Sequence, residues 1–435
     1  MIFHGESLEL STEPVHETLL KRCLELHSKN PDGLAFMTAE NEKDSIDFQQ
    51  LYRKVLMLSE WFVENGYKKG DIILLATHNN FRFFIVSLAA WRAGLINFSM
   101  MLASSVQAFG AVAKAFGIPE DFVIPQDLHF LPMYHALGMF RTLLNCTRGT
   151  CQIIFTKFDM ELVLQMIEKY SVMSLAMVPA ILVRLVNSPL VHKYDLGSVR
   201  SITVGSAPLP DGVVQKLKTL LPNVKVVQGY GMTELTFASH LHHADSPAGS
   251  VGRLVPGTSM KVKKDDGTLC QAGEVGELWI KGPQMMKGYW RKESQSKELI
   301  DADGYMRTGD LVYFDKNGDT FISDRIKELI KVNAKQVAPA ELESVILEHD
   351  DVADVCVFGV DDAASGERPV ACVVSKKRKD IETAKAIMLH INQKLARYKH
   401  IKEVQFVTQI LRTGTGKILR RNMKKMFLDS RKARL

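Results

Sequence analysis

Two glycine-rich loops carry side chains that could bind a nucleotide and its metal ion. One loop, GSAP at 205–208, follows the apolar run SITV, and the other, GYGMTE at 229–234, follows VKVVQ. Glycines let backbone amides approach a ligand closely, and Tyr230 offers a ring on which a base could stack. Thr233 and Glu234 add a hydroxyl that suits phosphate and a carboxylate that suits Mg²⁺. Two ordinary strand-to-helix turns could have the same composition, and the second loop lacks the third glycine of a dinucleotide-binding motif.

Charged side chains that could bind a ribose or a phosphate lie further along the chain. Asp310, in the sequence RTGD, can accept hydrogen bonds from ribose hydroxyls, and Arg325 is a planar donor suited to ribose or phosphate oxygens. Lys327 and Lys331 follow Arg325 within seven residues. A run of charges like this one is usually a solvated loop, so both interpretations stay open at this point.

Lys417 and His135 are two further side chains that could take part in catalysis. Lys417 ends the loop RTGTGK, which is not a Walker A loop because Leu411 replaces its first glycine and Ile418 its final Ser or Thr. His135, in LPMYHALGM, is either a core or helix-start residue or a catalytic base. The histidines of HLHH at 240–243 would need acidic or thiolate companions to bind a metal, so we predict no metal site there.

Strands and helices alternate over the first half of the chain. Residues 45–94 predict a helix, the strand IILLAT and a second helix, with Asp47 and Gln50 as a capping pair at the start of the first helix. Further strands are predicted at CQIIF, SLAMV, SITV and VKVVQ, with a helix between each strand and the next. This alternation predicts parallel sheets covered by helices on both faces. It also places both glycine-rich loops at the carboxyl ends of strands, where such sheets bind their ligands.

The pattern changes twice in the second half of the chain. From about 250 to 324, glycine-rich turns multiply and helical periodicity is absent, which predicts a β-rich subdomain with a hairpin turn at DKNG, 315–318. A helix is predicted to start near Pro339, followed by short strands and helices. We therefore predict an α/β fold with a large N-terminal domain of layered α/β sheets at 1–325 and a small, mobile C-terminal α+β domain at 326–435.

The composition is that of an ordinary globular protein. The chain has 435 residues, of which 46% are hydrophobic and 24% charged, and a net charge of +6. The basic end, RRNMKKMFLDSRKARL, is not accompanied by a zinc-finger, RRM or helix-turn-helix pattern, so we predict no nucleic-acid partner. No uncharged apolar stretch reaches the length of a membrane span, which predicts no transmembrane segment. The six cysteines are scattered without a C-x-x-C pair, so a reducing compartment fits best.

The last three residues, Ala433-Arg434-Leu435, resemble the S-K-L class of peroxisomal addresses. They predict a peroxisomal import receptor as a partner and the peroxisome as the location. A frayed basic tail on a cytoplasmic protein is the alternative.

Seven motifs together resemble one family. They are LPMYH, GSAPLP, GYGMTE, GYMRTGD, DRIKELIK, QVAPAELE and TGTGKILRR. Their order and spacing, over residues 10–94 and 120–435, are similar to those of the adenylate-forming (AMP-binding) superfamily, in its acyl-CoA synthetase, 4-coumarate-CoA ligase and firefly luciferase branch. The resemblance implies that ATP, with Mg²⁺, activates a fatty or aryl carboxylic acid to an acyl-adenylate, and that the thiol of CoA then forms the thioester.

The resemblance also implies a role for each matching residue. Residues 205–208 and Tyr230 would hold adenine, Asp310 and Arg325 the ribose, and Lys327 would be the hinge about which the small domain turns. The implied catalytic residues are Lys417, which bridges carboxylate and phosphate, Thr233 at the α-phosphate, Glu234 on Mg²⁺ with Thr233 as a second metal ligand, and His135 beside the acyl pocket. The implied cofactor-binding residues are Gly205, Ser206, Ala207, Pro208, Gly229, Tyr230, Gly231, Asp310, Arg325, Lys331 and Gln336.

The chain departs from the family pattern at one loop. Relatives carry a Ser/Thr/Gly-rich phosphate loop that ends in Pro-Lys-Gly, and residues 94–131 contain none. The N-terminal domain is therefore predicted to be internally shortened between about 95 and 130, with a sheet edge or apolar face left uncovered, and the chain is roughly a fifth shorter than usual. If each lost donor contributes about 3 kcal/mol, adenylation should fall by orders of magnitude. The alternative to a working ligase is then a crippled or truncated isoform that binds adenylate or a partner without turnover.

A second departure lies just after the hinge. Asn333-Ala334 stands where relatives have Lys-Gly. A side chain at that glycine is predicted to narrow the CoA tunnel or to strain a positive φ, although alanine is the mildest such change.

Overall fold

The computed structural model describes residues 1–6, 13–75, 77–97, 125–205, 209, 211–236, 238–243, 245–333, 335–377, 379–413 and 416–432. Its strands are β1 (Ile2–His4), β2 (Leu34–Thr38), β3 (Asn41–Asp47), β4 (Ile72–Ile73), β5 (Ile96–Asn97), β6 (Gln126–His129), β7 (Cys151–Ile154), β8 (Ser174–Met177), β9 (Ser201–Val204), β10 (Lys225–Tyr230), β11 (His240–Leu241), β12 (Arg253–Leu254), β13 (Ser259–Lys263), β14 (Gly276–Lys281), β15 (Met306–Phe314), β16 (Thr320–Arg325), β17 (Ile330–Val332), β18 (Lys335–Val337), β19 (Val352–Asp362), β20 (Gly366–Ser375) and β21 (Glu403–Phe406).

The helices alternate with these strands. They are α1 (Val15–Lys29), α2 (Phe48–Glu64), α3 (Phe81–Arg92), α4 (Ala136–Arg148), α5 (Met160–Tyr170), α6 (Pro179–Val186), α7 (Asp211–Leu220), α8 (Glu293–Leu299), α9 (Pro339–Leu347), α10 (Ile381–Lys394) and α11 (Arg420–Lys432), with 3-10 helices at Pro189–His192, Thr233–Leu235, Ile326–Glu328 and Arg397–Lys399. Within the described ranges, no helix is long and apolar enough to cross a bilayer. The predicted α/β fold class is confirmed.

Two sheets in the first half of the chain are mixed and not wholly parallel, which corrects the prediction. Strands β8, β9 and β10 run parallel, and two antiparallel pairings extend this sheet, β10 with β11 and β11 with β12. The other sheet has the order β3-β2-β7-β6, with an antiparallel hairpin at β2 and β3. Antiparallel edge strands are common on otherwise parallel sheets. Because β9 and β10 are parallel neighbours, their carboxyl ends lie side by side.

Apolar stripes on the helices cover this parallel sheet. Leu164 and Ile167 on α5 and Leu182 on α6 are buried in one core with Leu175 of β8 and Ile202 of β9. Burying side chains of this size contributes roughly 1.5–3 kcal/mol each, so the carboxyl ends of these strands are held rigidly.

The predicted capping pair at the start of α2 is confirmed. The Asp47 side chain accepts from the backbone N–H of Gln50, while the Gln50 side chain accepts from that of Asp47. Two N–H groups that the first turn of the helix leaves without partners are satisfied in this way.

The predicted strand IILLAT is much shorter in the structure. Only Ile72–Ile73 forms a strand, and its partner among the described residues is β5. Ile72 and Leu74 are exposed, at 49% and 70% of their surface. The run is apolar enough for a buried strand, but the described part of the chain supplies too few neighbouring strands to bury it. The expectation that the shortened region leaves a sheet edge or apolar face uncovered stays a prediction, because residues 98–124 lie outside the described part of the chain.

The β-rich region at 250–324 forms an antiparallel sheet of order β1-β13-β14-β15-β16, with the predicted DKNG turn between β15 and β16. The prediction that helices are absent there is wrong, because α8 lies after β14. None of the residues of α8 is buried, so it has no apolar stripe that a periodicity search could detect. Beyond it, the sheet β18-β17-β20-β19, extended by β21, packs with α9, α10 and α11, and α9 starts at Pro339 as predicted.

Candidate active site

A carboxylate held between a cation and a phenol forms the centre of the site. Asp310 on β15 lies directly opposite Arg325 on β16, and the Arg325 Nε is 3.1 Å from the Asp310 Oδ1. The Tyr230 hydroxyl donates to the other oxygen, Oδ2, at 2.5 Å. Burial raises the pKa of the Asp310 carboxyl, while Arg325 and the Tyr230 hydrogen bond act in the opposite direction. Both carboxylate oxygens are therefore oriented by protein groups. We use the name crevice for the region around Asp310, Arg325, Glu234 and Lys417.

Tyr230 uses its hydroxyl in a way that the sequence did not indicate. It is the last residue of β10, its ring lies edge-on to His240 at 5.9 Å between centroids, and burial raises the pKa of its phenol well above the ordinary value. The phenol is thus a permanent hydrogen-bond donor to Asp310. Its predicted role in stacking on adenine stays a prediction.

Lys417 comes to the same place from the opposite end of the chain. Its loop is closed by hydrogen bonds from the Thr413 N–H to the Lys417 carbonyl (2.8 Å) and from the Lys417 N–H to the Thr413 hydroxyl (3.1 Å). Gly416 has φ +81° and packs closely on Val178. A Cβ at position 416 would lie 3.0 Å from the Val178 Cγ2. Loss of solvent and the nearby Arg325 lower the pKa of Lys417, while Asp310 and Glu234 oppose this shift. The structure therefore brings Lys417 to the carboxylates that flank the crevice.

Glu234 lies on the short 3-10 helix Thr233–Leu235 after β10, and Thr233 beside it is exposed. The Tyr289 hydroxyl donates to the Glu234 Oε1 at 2.7 Å. Burial and the carboxylate raise the pKa of Tyr289 to about 12, so its hydroxyl keeps its proton. Sequence reasoning missed Tyr289, because it lies far along the chain from Glu234 and no local pattern marks it.

His135 immediately precedes α4, where its side chain makes no capping hydrogen bond. It is half-buried, and burial together with the charge of Lys417 lowers its pKa. A neutral imidazole close to Lys417 is compatible with a position beside the substrate. The backbone of His135 therefore lies at the start of a helix, as one of the two interpretations predicted. The catalytic role of its side chain stays a prediction.

Of the first glycine-rich loop, the structure describes Gly205. Gly205 follows β9 and its N–H donates to the Met177 carbonyl at 3.4 Å, whereas Ser206, Ala207 and Pro208 lie outside the described residues. A Cβ at Gly205 would meet only Leu137, at 3.9 Å, so packing within the described protein does not require glycine there.

The second glycine-rich loop lies at the end of β10. At Gly229 a Cβ would lie 3.1 Å from a Leu241 methyl group, so β11 favours a glycine at that position. Gly231 follows directly after β10. Packing against the neighbouring strand β11 therefore explains a glycine at position 229. Within the described part of the chain, no such packing explains the glycine at position 205.

The predicted hinge, Lys327, is exposed on the 3-10 helix Ile326–Glu328. Just before it, the Asp324 Oδ2 accepts from the Ala340 N–H at 3.2 Å and so caps the start of α9. Just after it, the Glu328 Oε2 accepts from the Arg420 Nε at 3.0 Å. These contacts connect both sides of the hinge to the C-terminal part of the chain, in the orientation that places Lys417 at the crevice.

Lys331 and Gln336 lie opposite each other on β17 and β18, and both are exposed. The Lys331 N–H donates to the Glu367 Oε2 at 2.8 Å, and the predicted cofactor-binding roles of Lys331 and Gln336 stay predictions. Between them, Asn333 has φ +50° and donates its N–H to the Ser365 carbonyl at 2.8 Å. Asparagine tolerates this left-handed conformation better than most residues, so Asn333 itself carries the positive φ at little cost. Ala334 lies outside the described residues.

Two family models match the chain. The model of the AMP-binding enzyme matches residues 97–290, and that of the AMP-binding enzyme C-terminal domain matches 341–417. The structure is also similar to that of ATP-bound MatB from Rhodopseudomonas palustris, with a TM-score of 0.81, coverage of 94% of this chain and 99% of the other, and 22% identity. At that identity the similarity supports the fold alone.

Relatives in sequence are closer. Acyl-CoA synthetase 7 of Caenorhabditis elegans is 59% identical over 540 positions that cover all of both chains. Because this chain has 435 residues, at least 105 of those 540 positions have no counterpart in it. Peroxisomal OPC-8:0-CoA ligase 1 of Arabidopsis thaliana is 38% identical over 69% of this chain, which spans only 56% of that relative. With two family models matched in order and a relative aligned from end to end, the chain belongs to the AMP-binding enzymes and, within them, to the acyl-CoA synthetases.

Proposed function

We propose that the chain is an AMP-forming acid–thiol ligase that makes acyl-CoA in two steps. Adenylate-forming acyl-CoA ligases use ATP, Mg²⁺ and CoA. In the first step, a carboxylate oxygen of the acid attacks the α-phosphorus of ATP, and pyrophosphate leaves. In the second step, the sulfur of CoA attacks the acyl carbon and the thiol loses its proton. AMP then leaves with the oxygen that had joined it to the acyl group. The observation that carries this proposal is the approach of Lys417 to the Asp310–Arg325 pair and to Glu234, although these residues come from separate parts of the chain.

Each polar group of the crevice suits one part of the substrate. Asp310 can accept from the ribose hydroxyls while Arg325 donates to ribose or phosphate oxygens. Lys417 carries the positive charge that compensates the negative charge growing between the carboxylate and the α-phosphate, and its partly buried position strengthens this effect. Thr233 donates its hydroxyl to the α-phosphate. A Mg²⁺ ion bound through the Glu234 carboxylate would neutralise charge on the phosphates.

The second step needs Lys417 to leave. We propose that the C-terminal domain, 326–435, turns as one body about Lys327 relative to 1–325, so that Lys331 and Gln336 reach the crevice in place of Lys417. Breaking the hydrogen bond between Asp324 and the Ala340 N–H would accompany this movement, because these groups lie on opposite sides of Lys327. Asn333 follows in the same hairpin, next to the proposed path of CoA.

The missing phosphate loop bears on the first step only. Without its donors, the β- and γ-phosphates depend on Lys417, Arg325 and the metal ion, so we expect slow adenylation and a high KM for ATP. The identity along the whole chain with an acyl-CoA synthetase favours a ligase over a binding protein without turnover.

Acyl-CoA formation from a panel of fatty and aryl acids tests the proposal. With ATP, Mg²⁺ and CoA, we expect AMP and acyl-CoA to form in equal amounts with at least one acid. The control is Asp310→Asn, which keeps the shape of the side chain but removes its charge. It should lower the rate at subsaturating ATP about 10–100-fold, because hydrogen bonds to a charged group contribute about 1.5–3 kcal/mol. Wild-type AMP release no higher than that of the variant, with every acid in the panel, would refute the ligase.

We further propose that the protein enters peroxisomes through Ala433, Arg434 and Leu435. These residues lie outside the described part of the chain, and the support is the sequence class together with a relative that is named as peroxisomal. A fluorescent fusion at the N-terminus should show punctate peroxisomal fluorescence, and removal of Leu435 should make it diffuse. Import that persists without Leu435 would reject the address.

A further inference from the structure

The Glu234 carboxylate is oriented by a segment that lies far from it in the sequence. The Tyr289 hydroxyl donates to the Glu234 Oε1 at 2.7 Å. Glu234 is on the 3-10 helix that follows β10, and Tyr289 is in the loop between β14 and α8. A hydrogen bond from a neutral hydroxyl to a charged acceptor is among the stronger ones in proteins, and it fixes the direction of the carboxylate.

Two hydrogen bonds to backbone carbonyls hold this loop against the 3-10 helix. The Met286 N–H donates to the Glu234 carbonyl at 2.8 Å, and the Thr236 hydroxyl donates to the Gln284 carbonyl at 2.7 Å. The Tyr289 N–H in turn donates to the hydroxyl of Ser296, on α8, at 2.8 Å. The phenol is therefore held in register with Glu234 independently of the side-chain hydrogen bond. Removing the hydroxyl should leave the loop in place.

The arrangement leaves the second carboxylate oxygen for a cation. Among the described residues, the side-chain hydrogen bond to Glu234 comes from the phenol and goes to Oε1, so Oε2 can serve as an oxygen ligand of the kind that Mg²⁺ prefers. Within the part of the chain that the structure describes, no group of three or more His, Cys, Asp or Glu side chains is placed to hold a metal ion by itself. A cation at Glu234 would therefore need further oxygens, and the phosphates of a nucleotide are the ligands that supply them.

We propose that Tyr289 is a positioning residue for a divalent cation that binds with the nucleotide phosphates at Glu234. The inference rests on the proposed function, because it needs ATP in this crevice. Tyr289 would act through Glu234 and would touch neither the phosphates nor the cation. Groups that orient a metal ligand in this way typically change metal affinity 10–100-fold when they are lost.

The test is Tyr289→Phe, with binding measured by electron paramagnetic resonance of Mn²⁺ in the presence of ATP and by calorimetry of metal-free ATP in EDTA. We expect the dissociation constant for binding of Mn²⁺–ATP to the protein to rise about tenfold. Binding of metal-free ATP and the melting temperature should not change, because the lost hydroxyl orients only the metal ligand. The matched control is Tyr313→Phe, since Tyr313 is exposed to nearly the same degree as Tyr289, 36% against 38%, and lies on β15 stacked against Phe321. The dissociation constant of Mn²⁺–ATP from Glu234→Gln gives the reference value for a site without the carboxylate charge.

The outcomes separate this inference from the proposed function. If the wild-type protein binds Mn²⁺–ATP no better than metal-free ATP, the proposed metal role of Glu234 is wrong, and the role of Tyr289 is wrong with it. If the wild type prefers the metal complex and Tyr289→Phe binds it equally well or more tightly, only the role of Tyr289 is wrong. If Tyr289→Phe binds Mn²⁺–ATP and metal-free ATP more weakly by the same factor, or melts at a lower temperature, the phenol supports the loop and does not orient the metal ligand.

Discussion

Replacing Lys417 by alanine is expected to slow formation of the acyl-adenylate about 10²–10³-fold, the usual cost of losing one group that stabilises charge in a transition state. Lys417 is the flexible cation that the C-terminal part of the chain brings to Asp310, Arg325 and Glu234. Conversion of a supplied acyl-adenylate and CoA into thioester should change less than about twofold, because the proposed hinge movement withdraws Lys417 before that step.

The two half-reactions can be measured separately. Exchange of labelled pyrophosphate into ATP reports adenylation, and release of AMP from a synthetic acyl-adenylate with CoA reports thioester formation. Lys425→Ala is a suitable control, since Lys425 is exposed on α11 in the same part of the chain. Equal losses in both half-reactions would contradict the proposed withdrawal of Lys417.

The pH dependence of exchange offers a second check on the same residue. Loss of solvent and the charge of Arg325 lower the pKa of Lys417 from its ordinary value of 10.5. Only the ammonium form can compensate phosphate charge, so the exchange rate should fall as the pH rises through this lowered pKa. The alkaline limb should therefore lie below pH 10.5 and should be absent from the residual exchange of Lys417→Ala.

Replacing Arg420 by methionine is expected to destabilise the C-terminal sheet by about 3–5 kcal/mol, the cost of leaving a buried charge unpaired. Arg420 forms an ion pair with Glu343, which is only 8% exposed, and donates to the Val357 carbonyl at 2.6 Å and to Glu328 at 3.0 Å. Burial raises the pKa of Glu343, and Arg420 is the main group that opposes this shift. Without Arg420, the Glu343 carboxylate must lose its charge or the local packing must open.

Hydrogen exchange of the β19 amides, followed by mass spectrometry, measures this loss locally. We expect exchange to accelerate by roughly two to three and a half orders of magnitude, since each 1.4 kcal/mol corresponds to a factor of about ten. The double variant Arg420→Met/Glu343→Gln should recover much of the protection, because the amide oxygen that replaces the carboxylate can still accept from the Val357 N–H without a charge. In the control Lys385→Met, the exposed pair with Glu382 is lost and exchange should change little. Unchanged protection in Arg420→Met would show that the buried pair contributes no net stability.

Local signals were sufficient for most of the elements. The capping pair Asp47–Gln50, the DKNG turn and the helix start at Pro339 depend on neighbours in sequence, so the chain alone predicted them. The errors have the opposite origin. Helix α8 has no apolar stripe, and the short β4 is apolar in sequence but has few neighbouring strands among the described residues. The antiparallel edge strands β11 and β12 are two residues each, too short to show a period.

The family and the candidate polar groups follow from the chain alone, because the seven motifs keep their order and their residue types. Which of these groups meet depends on the tertiary packing. Arg325 faces Asp310 across two strands, Tyr230 gives its hydroxyl to that same carboxylate, and Lys417 arrives through the packing of Gly416 on Val178. The pair Tyr289–Glu234 was not indicated at all. Such pairs join elements far apart in the chain, and their geometry depends on how whole sheets and helices pack, which no local pattern records.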